Sequence, residues 1–338
     1  MDITYKIQHI KDDQNKDLSY LLKLYLDNID PCIKTNPNEI IYWLNNFDER
    51  KGKDTFWILA LYMNSKPIGF CQLVHFYNYK IVFIDYCVID PEYRGRAFSE
   101  YTYLIRDFFA DKAIDINYFV TEVAFYSNNK IPSQSALKLI RLLKMSGFKV
   151  IKAPYIQPEL GLENHESEMN ATLMIWINGK GNDQTSLKKE TYLEIVRIIF
   201  YNHYISWYDA FMTDKEMSIY RKNIDDIFDL IKKETNKKDS VLLNGEPYMF
   251  EPSNTPPPNK SNKKTISIFV ISLLLIYAAI SGLGLLLEGE FNIPPETQFN
   301  NWKIAGAFTM IVLIIWVTKS KDLRNLLLEW IQNLVKSK

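Results

Sequence analysis

The chain has 338 residues, more than one typical domain, and its 40 Lys plus Arg are matched by 40 Asp plus Glu, so no overall field favours nucleic acid. Aromatic residues at 14% and apolar residues at 47% exclude a disordered chain. Cys32, Cys71 and Cys87 are scattered, with no CxxC and no histidine spacing that would build a zinc site, so they read as reduced thiols and no metal is expected.

The first residues, MDITYKIQHIKDDQNKD, are polar and acidic where a signal peptide needs a basic start and an apolar run, which places the N-terminal part in the cytosol. Strand patterns follow at 4–9, 56–63, 68–76, 81–89, 118–124, 148–156 and 171–177, and helical spacing at 18–29, 38–47, 98–110 and 135–145. Asn64-Ser65-Lys66-Pro67 turns one strand into the next as a hairpin. The order predicts an α/β (α+β) domain over residues 1–178, a mixed sheet with flanking helices. Residues 179–245 read as a helical extension, in which Tyr192, Ile195, Val196, Ile199 and Phe200 keep helical spacing. Its aromatic run, FYNHYISWYDAF, is expected to pack against the N-terminal domain.

Residues 246–264, EPYMFEPSNTPPPNKSNKK, form a proline-rich linker. Beyond it, Thr265 to Leu287 holds no charge for about 23 residues, or roughly 34 Å as a helix, which matches a bilayer core. A second apolar run, Trp302 to Val317, is shorter and carries only Lys303. Lys260, Lys263 and Lys264 precede the pair, Lys319, Lys321 and Arg324 follow it, and the connecting loop carries Glu288, Glu290 and Glu296. The pattern predicts a transmembrane hairpin over 265–318 with the N-terminal domain and the C-terminus cytoplasmic. Residues 319–338 read as an amphipathic helix lying on membrane lipid, and the spans offer a surface for association between copies.

The chemistry concentrates in IVFIDYCVIDPEYRGRAFSEYTYLIRDFF, residues 81–109. A strand ends at Asp90-Pro91, and a helix begins near Phe98 or Ser99 after the basic loop Arg94-Gly95-Arg96. Such a junction presents unpaired N–H groups and the positive helix end to one point, which suits a pyrophosphate.

Ile89-Asp90-Pro91-Glu92-Tyr93-Arg94-Gly95-Arg96-Ala97-Phe98-Ser99 resembles the acyl-CoA loop of the GNAT acyltransferase superfamily. A helix ending in Gly147-Phe148 before the last strands resembles a second feature of that family. The resemblance covers about 1–178 and implies a GNAT-like sheet that transfers an acyl group directly from acetyl-CoA, or another acyl-CoA, to an amine. By the same analogy the backbone of Cys87, Val88 and Ile89 holds the pantetheine arm, and Arg94, Gly95, Arg96, Ala97, Phe98 and Ser99 hold the pyrophosphate. Ala97 and Ser99 stand where glycines are usual, and Leu143 stands where the family often has a tyrosine that protonates the departing thiolate. A carboxylate or an ordered water must then take the proton of the amine, and Asp85 and Glu122 are the candidate carboxylates, with Glu122 preferred because its strand borders the acyl centre in this fold. In strict alternation Asp85 shares a face with Cys87 and Ile89. Tyr126 is the expected substitute acid, and His75 a remote alternative.

Two functions stay open on these residues. One is a membrane-anchored N-acyltransferase. The other is a catalytically silent acyl-CoA-binding module that reports its ligand state to the hairpin. A pore or scaffold would need polar residues in the spans, where Ser267, Ser272, Ser281 and Thr309 are the few present.

Overall fold

The structure, a computed structural model, describes residues 3–50, 52–125, 132–160, 169–179, 183–243 and 245–248. Tyr126, the linker beyond Tyr248, both expected spans and the interfacial helix lie outside the described residues, among which no helix is long and apolar enough to cross a membrane. The chain divides at Pro252, and Met1–Pro252 forms one compact unit.

Among the described residues ten strands build one sheet in the order β1-β2-β3-β4-β5-β8-β6-β10-β9, with β7 (Ile156–Gln157) beside β8. They are β1 (Tyr5–Ile10), β2 (Thr55–Met63), β3 (Lys66–Phe76), β4 (Ile81–Ile89), β5 (Tyr118–Ala124), β6 (Lys149–Lys152), β8 (Met169–Ile177), β9 (Ser186–Lys188) and β10 (Ser240–Leu243). Among the described residues only β4 and β5 pair in parallel, because α3 (Arg96–Asp111) crosses between them; β3 pairs β4 through a tight connection, and β8 returns antiparallel beside β5 after the helix Gln134–Met145, β6 and β7. The 64–67 hairpin turns on Asn64 and Ser65, both at positive φ.

Residue alternation sends two apolar sets to opposite faces. Ala60, Phe70, Val74, Phe83 and Val120 pack beneath α1 (Leu18–Asn28), α2 (Pro37–Arg50) and the helices after residue 188. Leu59, Leu61, Cys71, Leu73, Val82, Ile84 and Val123 pack against α3 and α4 (Gln134–Met145) on the other side. Gly147, at φ 88°, closes α4 in a conformation a Cβ would strain, and the amide of Phe148 then donates to the Leu143 carbonyl.

The segment read as purely helical does more than cover the sheet. Its ends supply β9 and β10, which pair with each other and join the edge at β6. Between them run α5 (Lys189–Arg197), a π-helical stretch at Ile198–Ile205, α6 (Ser206–Tyr208) and α7 (Asp214–Thr235), the last begun by a capping box of Thr213 and Glu216. The aromatic run packs on the sheet's first face as expected: Trp207 donates its indole N–H to Glu39 (2.9 Å) and accepts that of Trp43 at its carbonyl (3.2 Å). The strand expected over 148–156 is broken into β6 and β7, with Pro154 between them.

Candidate active site

β4 and β5 share four rungs, from Ile81–Tyr118 to Ile84–Thr121, and pair no further. The parting has a local cause. Pairing of β4 with β3 steps from Gln72–Tyr86 to Leu73–Ile84, so Asp85 is an extra residue and forms a bulge. A bulge bends its strand and raises the twist, which swings the end of β4 away from β5. The gap becomes a cleft of about 680 Å³, open mouth included. Asp85, Tyr86 and Cys87 line it from β4, and Thr121, Glu122 and Ala124 from β5. Phe98 and Thr102 of α3, Leu139 and Leu143 of α4, Ile29, Ile33 and Gln157 complete the wall.

The bulge also corrects the expected face of Asp85. With one residue inserted, Asp85 and Tyr86 both turn toward the first core, where Asp85 meets Gln72 and His203, while Cys87 and Ile89 turn toward α3. Strict alternation fails at this point because two residues oppose one.

Glu122 sits at the floor of the cleft, half-buried, with its carboxylate enclosed by two phenols. Tyr155 donates to Oε1, and Tyr204 donates to Oε2 at 2.6 Å. Gln157 Nε2 in turn donates to the Tyr204 hydroxyl at 3.1 Å, while Gln157 Oε1 has no partner among the described residues. Burial lifts the Glu122 pKa from the usual carboxylate range to about 7, against the two phenol hydrogen bonds that hold it down; the Asp85 charge adds to the rise. Burial likewise pushes the Tyr155 and Tyr204 hydroxyls well above the ordinary phenol value, so both remain donors at physiological pH.

Asp85 has different company. Gln72 Nε2 donates to its Oδ2 at 2.6 Å, and His203 Nε2 lies 3.3 Å from the same atom. His203 and Tyr204 are consecutive, and an α-helix would turn successive side chains about 100° apart. The wider π turn holds both against the sheet, the imidazole on Phe83 and Trp207 and the phenol on Phe200. Tyr155, Tyr204, His203 and Gln157 were not legible as site residues. The only hint is a histidine and a phenol side by side within an otherwise apolar helical stripe.

The amide of Asp90 donates to the Ile68 carbonyl (2.9 Å), which makes Ile68–Asp90 a hydrogen-bonded rung. Alternation then leaves Gly69–Ile89 and Cys71–Cys87 as non-hydrogen-bonded rungs. The peptide groups of Cys87 and Ile89 therefore face away from β3, into the gap. Val88 is buried on the intervening rung. Arg94 folds back to this strand end: its Nε donates to the Ile89 carbonyl (3.1 Å) and Nη2 to Asn28 Oδ1 (2.5 Å). Gly95 sits at φ 98° and is the N-cap of α3, with Arg96 the first helical residue. Ala97 is buried, Phe98 lines the cleft, and the Ser99 hydroxyl lies 3.4 Å from that of Ser146.

The α1–α2 connection is tied down beside this cleft. Tyr86 donates to the Ile33 carbonyl (2.9 Å) and meets the Thr35 hydroxyl (2.9 Å), while Tyr25 donates to the Thr35 carbonyl (2.9 Å). His75 is buried against Phe109 and Tyr77 and is not part of the cleft lining. Among the described residues no cluster of His, Cys, Asp or Glu is arranged to hold a metal ion.

Residues 20–101, from α1 into α3, match the model of the Acetyltransferase (GNAT) family, and the mixed sheet with helices on both faces fits that fold. No curated protein matches the chain. Among solved structures it is similar to a putative GNAT-family acetyltransferase from Bacteroides thetaiotaomicron, at 16% identity and a TM-score of 0.45, over 59% of this chain and 98% of that one. A putative acetyltransferase from Salmonella typhimurium, solved with its cofactor acetyl-CoA, gives 13%, 0.36, 52% and 95%. Spermidine N-acetyltransferase from Vibrio cholerae in complex with CoA and spermine gives 13%, 0.34, 51% and 95%.

Proposed function

We propose that this chain transfers an acyl group, acetyl in the first instance, from acyl-CoA directly to an amine. The observation that carries this reading is Glu122: a carboxylate with a pKa near 7, at the floor of the cleft between two parted parallel strands, held by two tyrosines. The residues present fit an acyl-CoA. The peptide groups of Cys87 and Ile89 face the gap, α3 begins on a glycine with no side-chain cap, and Gln157 Oε1 is an orphan acceptor in the lining. Bound acyl-CoA supplies the activated thioester. Cys87 to Ile89 hold the arm, although the Ile89 carbonyl must be shared with Arg94 or released by it. Arg94 and Arg96 bring positive charge to the start of α3 for the pyrophosphate.

Glu122 takes the proton from the incoming ammonium, which leaves a neutral amine to attack. A base with a pKa near ambient pH is both populated as the anion and strong enough to accept a proton. Tyr155 and Tyr204 orient its two oxygens. Leu143 lines the cleft with no proton to give, so protonation of the departing thiolate is assigned to Tyr126. The same proposal includes the tether: the apolar runs at 265–287 and 302–317, with their basic flanks, anchor the domain at the cytoplasmic face of a membrane.

A silent acyl-CoA sensor is the second reading, and two observations favour it: Leu143 in the cleft wall and Arg94 engaged by Ile89 and Asn28. One experiment separates them. Acetyl-CoA turnover is followed with a panel of primary amines and polyamines, with calorimetric acetyl-CoA affinity measured in parallel. Turnover that Glu122→Gln lowers while affinity holds supports the transferase. Tight binding with no turnover on any amine supports the sensor, and no binding overturns both.

A further inference from the structure

Cys71 and Cys87 face each other across β3 and β4 as a directly opposed pair. Their rung is non-hydrogen-bonded, the kind in which opposed Cα atoms approach to about 4.5 Å and side chains are closest. Disulfides span Cα separations of about 4.4 to 6.8 Å, so the rung is within bonding geometry without movement of the backbone. Their settings differ: Cys71 is fully buried beneath α3, whereas Cys87 is half-exposed and lines the cleft. Acyltransfer uses neither sulfur, because only the Cys87 peptide group is asked to hold a ligand.

We propose that Cys71 and Cys87 form a reactive dithiol, opening on the cleft, that takes small-molecule disulfides such as glutathione disulfide or the disulfide of CoA. Cys87, the accessible thiol, loses its proton and attacks one sulfur of the incoming disulfide. A Cys87–S–S–R bond forms, the R–S–S–R bond breaks, and one RSH leaves with that proton. Cys71, directly behind, attacks the Cys87 sulfur and expels the second RSH, which carries off the Cys71 proton. The two cysteines lose two electrons and become a disulfide, and the incoming disulfide gains two electrons and becomes two thiols. Burial pushes the Cys71 thiol well up, which suits it to the second, intramolecular step rather than the first. A disulfide that opens on the cleft is within reach of an attacking thiol, so the change is reversible. Its formation draws the Cys87 sulfur off the cleft wall toward β3, at the place proposed for the thioester.

The test uses the full-length protein, with glutathione disulfide as probe, native alkylation and peptide mapping. The expected result is a fall from three titratable thiols in the unfolded chain to one, with the peptides carrying Cys71 and Cys87 cross-linked and both thiols restored by reductant. Cys71→Ala should stop the sequence halfway and retain glutathione on Cys87. The wild-type thiol count and map stand on their own if that variant fails to fold. A wild-type chain that keeps glutathione on Cys87 without closing the internal bond overturns the proposal, as does a cross-link that includes Cys32, or no loss of thiols. None of these readouts requires acyl-CoA to bind. Failure of the acyltransferase reading would appear separately, as reduced protein with no acetyl-CoA affinity.

Discussion

Asp85 and Glu122 stand level on two parallel strands, each the first residue past the last shared rung, Ile84–Thr121. The Asp85 charge adds to the rise that burial imposes on the Glu122 pKa, against the hydrogen bonds of the two phenols. Asp85 itself meets the Gln72 amide and the His203 imidazole.

Glu122→Gln should lower kcat by about 10²- to 10⁴-fold, the usual loss for a general base, with acetyl-CoA affinity retained. The wild-type rate should rise with pH through an acid limb near 7, as Glu122 ionises, and that limb should vanish in the variant. A profile flat through this range would remove Glu122 from the reaction.

The same group makes stability depend on pH in a defined direction. Its folded pKa, about 7, lies above the unfolded carboxylate value, so between those values the folded state binds more protons than the unfolded one. The Glu122 contribution to stability is full below the unfolded value and declines as pH rises to 7. Urea unfolding at a series of pH values, wild type against Glu122→Gln, should show a steeper fall for the wild type across that window.

Tyr155→Phe and Tyr204→Phe each remove a hydrogen bond that holds the Glu122 pKa down. The acid limb should move to higher pH in both, and stability above neutrality should fall by about 1 to 3 kcal/mol as a buried acceptor is left short of a donor. Loss of activity with an unmoved limb would mean that the phenols only pack.

Tyr86→Phe loosens the clamp on Ile33 and Thr35 while it leaves both carboxylates in place. Because Ile29 and Ile33 line the cleft, it should raise KM for at least one of the two substrates with kcat little changed, at a stability cost of about 0.5 to 1.5 kcal/mol. An unchanged KM for both would place the α1–α2 connection outside the binding wall.

A chain ending at Tyr248 should fold, whereas one ending at Asn178 should not. The shorter chain would lose β9 and β10 and expose the sheet face that Tyr192, Ile195, Ile199, Phe200, Ile224 and Ile231 cover. Circular dichroism and thermal unfolding of the two distinguish the outcomes, and cooperative melting of the shorter chain would show residues 1–178 to be independent.

Strands β1 to β5, β8 and the first four helices are legible in the sequence to within about two residues, save that α2 runs three residues past its expected end, because period-2 and period-3.6 patterns run long enough there to be unambiguous. β9 and β10 are three and four residues long, too short to show a period, and exist because each finds a partner in the other. Within the cleft, the positions of Glu122 on β5 and of the Arg94 loop between β4 and α3 follow from local order. That of Tyr204 does not: its hydroxyl meets a carboxylate 82 residues earlier, and in sequence it is one more aromatic in a packing stripe. The Asp85 bulge was invisible for a related reason, because an inserted residue shows only against the partner strand.

That single inserted residue lets β4 serve two different clients. Before it, Phe83 faces the first core and Ile84 the second; after it, Tyr86 and Cys87 take those same sides in turn, with Asp85 held between. Were Asp85 deleted, Tyr86 would follow Ile84 in plain alternation, and Tyr86 and Cys87 would keep their sides. What would go is the bend that parts β4 from β5, and with it the cleft and the carboxylate level with Glu122. A deletion elsewhere in this nine-residue strand would turn every side chain beyond it to the other face; at Asp85 the faces survive and the cleft is what is lost.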